Sequence, residues 1–148
     1  MPAFFVFFYF EIYASEGKAG SLLILGIGTD ILETRRIREA IENPHFVSRV
    51  YTPAEQAYCD SRGAQRAQGY AARFAGKEAV LKAFGTGLRD GKLAEIEILP
   101  DALGCPRVKL YGYFAQSAAQ KGVRMVHISL SHTKEYVTAQ CVMEGKEL

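Results

Sequence analysis

Residues 70–87, YAARFAGKEAVLKAFGTG, leave the backbone little choice but a helix that ends in a glycine turn. Alanine, leucine, lysine and glutamate all favour helix, and Gly85 just past Phe84 is a typical stop. At about 100° per residue, Phe74, Leu81, Ala71 and Ala75 gather on one side. Glu78 and Lys82 fall with them, whereas Arg73 and Lys77 point elsewhere. A carboxylate and an ammonium at i,i+4 on an apolar face need a reason. One is a partly buried ion pair. The other is a site: a carboxylate for a metal, a lysine for phosphate, and Gly85-Thr86-Gly87 letting phosphate approach the backbone.

The rest of the chain supplies partners for that helix. LLILGIGTD, from Leu22 to Asp30, reads as a strand, with Leu25 and Ile27 on one face and Gly26, Gly28 and Asp30 on the other. Two glycines beside an aspartate leave room for a packed helix or a ligand. Asp30 and Glu33 also match a capping box, which predicts a helix from about Ile31 to Glu42, stopped by Asn43-Pro44. Its buried stripe is Thr34, Ile37, Ala40 and Ile41, with Arg35, Arg36 and Arg38 outward. Phe46 to Tyr51 reads as a connector. Thr52-Pro53-Ala54-Glu55 then announces a second helix ending near Arg62-Gly63. Residues 94–99 and 107–111 alternate with period two and form a hairpin. A short helix from Tyr113 to Lys121 leads into a strand from Met125 to Ser131, a turn at 132–135, and a last strand from Tyr136 to Met143.

Size and charge set outer limits. The 148 residues suffice for one domain with a real core, and 49% apolar with 23% charged residues marks a folded chain. A net charge of +2 is too mild to argue for nucleic acid. The basic residues between 35 and 82 read either as solvated helix surface or as the face for an acidic partner. Cys59, Cys105 and Cys141 show no metal-binding spacing and predict reduced thiols. No apolar run of about 18 residues predicts a membrane span. Residues 1–22 open with MPAFFVFFYFEIY and read as an appendage, an upstream start or a leader; an added edge strand or interface peptide is the alternative. No Walker A, Rossmann, zincin or nucleophile-elbow motif occurs.

Three segments together resemble a known family. GIGTDILETRRI at 26–37, RFAGKEAVLKAFGTG at 73–87 and ISLSHTKEYVTAQCV at 128–142 are similar, in order, to the motifs of the small trimeric holo-acyl-carrier-protein synthases, which are 4′-phosphopantetheinyl transferases. The match runs from about Leu23 to Met143, so residues 1–22 stand outside a transferase domain at 23–148. The resemblance implies an α+β fold, a small antiparallel sheet packed with a long central helix, assembling as a homotrimer with coenzyme A between neighbouring subunits. It implies transfer of phosphopantetheine from coenzyme A to a serine of apo acyl carrier protein, in the cytoplasm, with fatty-acid biosynthesis as the family's setting. By it, Asp30 and Glu78 bind Mg²⁺, and Lys82 contacts the phosphate at the reaction centre. Glu78 is the candidate base, with Asp30 the alternative. Arg73, Gly85, Thr86, Gly87, His132 and Thr133 match coenzyme-binding positions, and Arg66 is a candidate for the 3′-phosphate. Arg36, with Arg35, would dock the acidic carrier. Gly76 stands where the family commonly has alanine. The rival readings are a non-catalytic domain that binds coenzyme A or another nucleotide, and a carrier-binding scaffold.

Overall fold

The protein is described by a computed structural model covering residues 21–146; the reading of residues 1–20 lies outside the described residues. Ten principal elements follow in order: β1 (Leu23–Glu33), α1 (Thr34–Ala40), α2 (Pro44–Val50), α3 (Pro53–Asp60), α4 (Arg66–Phe84), β2 (Ile96–Pro100), β3 (Pro106–Leu110), α5 (Gly112–Gln120), β4 (Val123–His132) and β5 (Tyr136–Gly145). An antiparallel sheet of order β1-β5-β4 carries α4 on its inner face, and β2–β3 forms a separate hairpin.

α4 is the central element in fact as well as in sequence, since twelve of its 19 residues are buried. Its approach to β1 is set by two glycines. A Cβ on Gly26 would lie 2.1 Å from the Ala83 carbonyl oxygen, and one on Gly28 would lie 1.9 Å from that of Ala79. The room beside Asp30 is therefore filled by the helix backbone. Gly28→Ala is expected to push α4 away from β1 and cost about 1–3 kcal/mol, the range for overpacking; chemical denaturation of the variant measures this.

Several expectations are corrected. β1 does not stop at Asp30 but pairs with β5 down to Glu33 opposite Tyr136, so Asp30 sits in a ladder opposite Ala139 and caps no helix. α1 begins at Thr34, and its N-cap Glu33 makes no side-chain cap; ladder hydrogen bonds outcompete the local capping box. Residues 46–51 are not a connector. They belong largely to α2, where Asn43 accepts a hydrogen bond from the His45 N–H at 2.9 Å and Pro44 opens the helix. The Thr52 capping box on α3 forms as expected.

The polar face of α4 is also corrected. Arg73 and Lys77 are buried, Glu78 is half-buried and Lys82 is exposed. The helix is enclosed by the sheet on one side and by α3 and β2 on the other, so a single apolar stripe describes it poorly. Lys77 Nζ, fully buried, donates to Glu55 Oε2 at 2.7 Å and to the Val50 and Leu93 carbonyls at 2.7 and 3.0 Å. Glu55 in turn accepts from the backbone N–H groups of Thr52 and Ile98, both at 2.8 Å. Burial pulls the Lys77 ammonium below the usual lysine range, and Glu55 opposes that pull. The outer face of β1 exposes Ile27 and Ile31, at 69% and 65%.

Candidate active site

β1 and α4 bring Asp30, Glu78 and Lys82 together. Lys82 Nζ donates to Asp30 Oδ1 at 3.0 Å and to the Thr29 carbonyl at 2.8 Å. The lysine therefore pairs across the β1–α4 contact and not with Glu78 on its own helix. Asp30 lies on the inner face of β1 with only 16% of its side chain exposed. Burial pushes the Glu78 carboxyl above the usual carboxylate range; the like charge of Asp30 pushes the same way and Lys82 opposes both. The two carboxylates thus repel one another, as a pair facing a shared cation would.

That pair suits a hard divalent ion. Among the described residues no group of three or more His, Cys, Asp or Glu could hold a metal. Two carboxylates are enough for an ion that takes its remaining oxygen ligands from water and phosphate. Beside them a cleft of about 420 Å³ is lined by Glu78, Leu81, Lys82, Gly85, Gly87 and Leu88. Gly85 caps α4 at φ 75° and Gly87 follows at φ 65°, conformations that favour glycine and expose backbone at the helix end. Thr86 between them has a buried hydroxyl without a partner among the described residues.

The other candidates lie apart. Arg73 and His132 line a second cavity of about 750 Å³, which shares no lining residue with the first. Thr133 Oγ1 accepts from the N–H groups of Glu135 and Tyr136 at 3.3 and 3.1 Å and so closes the β4–β5 turn. Arg66 is paired with Asp60 at 2.8 Å and lies over the Tyr70 ring; it lines neither cavity. Arg35 and Arg36 are exposed on α1, with Arg35 paired to Glu39. Sequence reasoning missed Tyr58 and Arg62, which line the second cavity. Their only signal was the basic, aromatic character of the segment before α4.

The 4′-phosphopantetheinyl transferase superfamily model matches residues 26–141, and the chain belongs to that superfamily. Within it the similar relatives are holo-[acyl-carrier-protein] synthases. The enzyme of that name from Ruminiclostridium cellulolyticum is 48% identical over 120 residues, covering 79% of this chain and 90% of its own. The one from Koribacter versatilis is 42% identical, covering 82% and 99%. Among solved structures, the Plasmodium yoelii acyl carrier protein synthase with ADP bound matches at TM-score 0.78 and 35% identity, covering 86% of this chain and all of that one. The Bacillus anthracis synthase in complex with CoA (3′,5′-ADP) matches at TM-score 0.70 and 34% identity, covering 83% and 98%. Among the described residues no helix is long and apolar enough to cross a membrane.

Proposed function

We propose that this chain performs the reaction of its relatives, moving 4′-phosphopantetheine from coenzyme A to a serine of apo acyl carrier protein and releasing adenosine 3′,5′-bisphosphate. The observation that carries the reading is the meeting of Asp30 with Glu78 and Lys82, the latter two of which line one cleft. Asp30 and Glu78 would hold Mg²⁺, which supplies charge neutralisation of the coenzyme's diphosphate. Lys82, exposed enough to turn toward the cleft, stabilises charge on the phosphate that departs or transfers. Glu78, which faces the cleft, would accept the proton of the carrier serine. The Gly85–Gly87 turn gives phosphate close access to backbone.

The split between the two cavities supports a homotrimer. Arg73 and His132 line a cavity apart from the Glu78 cleft, and in a homotrimer they would serve the cleft of a neighbouring copy. The exposed Ile27 and Ile31 offer an apolar sheet face for such packing. The setting is cytoplasmic.

The acidic partner is received by α1. Arg36→Ala is expected to raise the carrier's KM several-fold while leaving coenzyme binding unchanged; steady-state kinetics beside calorimetry checks both. Intact-mass analysis of an apo carrier incubated with the protein and coenzyme A tests the function itself. The carrier should gain one phosphopantetheine group with Mg²⁺ and none without it. No gain under either condition overturns the reading.

A further inference from the structure

The Gly85–Gly87 turn opens a longer loop that runs to the segment before β2. Gly87 and Leu88 of this loop line the cleft. Hydrogen bonds fix its two ends. The Gly85 N–H donates to the Leu81 and Lys82 carbonyls at 3.2 and 3.1 Å, and the Lys92 N–H donates to Glu95 Oε2 at 3.1 Å. One residue further, the Leu93 carbonyl accepts from the buried Lys77 Nζ at 3.0 Å. Between those ends, no residue from Thr86 to Gly91 makes a hydrogen bond or ion pair among the described residues.

A stretch without bonds of its own takes its course from what it packs on. Here that is Phe114 of α5, which is fully buried. Its ring centroid lies 5.4 Å from that of Phe84, the residue before the turn. At the far end of the loop, Gly91 presses against the same ring. A Cβ on Gly91 would overlap Phe114 Cε2 and lie 2.7 Å from its Cζ and 2.9 Å from Tyr113 Cδ1. Gly91 is not among the glycines of positive φ, so its missing side chain serves this approach and not a turn. Tyr113 stands edge-on to Phe114 at 5.3 Å and braces it. One ring therefore meets the chain on both sides of the loop. The N–H groups between keep no protein partner, and backbone N–H groups of a turn receive an anion only where they are held in place.

We propose that Phe114, seated against Gly91, is a positioning residue for the coenzyme: it fixes the course of residues 86–91 and so sets the loop backbone against the diphosphate. This rests on the functional reading above. Phe114 lines neither cavity, so it acts through the loop. Its effect falls on the grip of the coenzyme and leaves the carrier's docking on α1 alone.

Calorimetry with coenzyme A on the full chain, beside steady-state kinetics, tests this with Gly91→Ala. The added methyl meets the ring and lifts the loop from it. Coenzyme A affinity should fall about tenfold and the coenzyme KM should rise in step, with kcat and the carrier KM near wild type. Phe114→Leu removes the ring atoms that the methyl meets, so the double variant should lose less affinity than the two single losses combined. An unchanged affinity in a folded Gly91→Ala overturns the proposal. An equal rise in both KM values overturns it too, and so does a Gly91→Ala protein that does not fold, because the contact would then serve the core and not the loop. A wild type that binds coenzyme A but modifies no carrier refutes the functional reading, while the affinity ratio still judges the loop.

Discussion

Asp30→Ala and Glu78→Ala each abolish carrier modification, a loss of about 10²–10³-fold or more for removing a fixed charge at a reaction centre, while the protein stays folded. The fold survives because neither carboxylate anchors the core. Among the described residues the Asp30 carboxylate bonds only to the exposed end of Lys82, and Glu78 faces the cleft. Asp30→Ala leaves Lys82 the Thr29 carbonyl as a partner, so the ammonium stays at the site and cannot replace the lost carboxylate. Single-turnover rates at saturating Mg²⁺, with circular dichroism melts, separate catalysis from stability. Normal rates in both variants would remove the metal assignment.

Lys77→Ala, by contrast, costs stability first. Removing one partner of a fully buried ion pair leaves the other charge uncompensated, worth about 3–5 kcal/mol. Glu55→Ala should cost a similar amount and also strand the Ile98 and Thr52 N–H groups that Glu55 now satisfies. The pair joins α4 to the start of α3 and to β2, so its loss loosens the helix that positions Glu78 and Lys82. Urea denaturation of the single variants and of Lys77→Met/Glu55→Met gives the coupling energy. A double variant as stable as the wild type would still fit a pair whose net worth is small; stable single variants would not.

Local signals in the chain were faithful where the structure they encode is local. The Thr52 capping box, the Gly85 stop and the β2–β3 alternation all form as read. Long-range pairing decided the rest. β1 extends past Asp30 because β5 lies beside it, an effect no window of β1 contains. Lys77 falls off the apolar stripe of α4 yet is buried, because its partner, Glu55, is 22 residues away on α3. Asp30 and Glu78 were nominated together through a resemblance, and the contact of β1 with α4 brings them to one place. The seat of Gly91 on Phe114 had no such signal, since it joins a loop to a helix beyond the β2–β3 hairpin.

Manganese binding, followed by loss of the free-ion electron paramagnetic resonance signal with coenzyme A present, tests the shared metal site most directly. The wild type should bind the ion, and Asp30→Ala and Glu78→Ala should each weaken binding by about tenfold or more. Equal affinity in all three proteins would contradict a metal held between these two carboxylates.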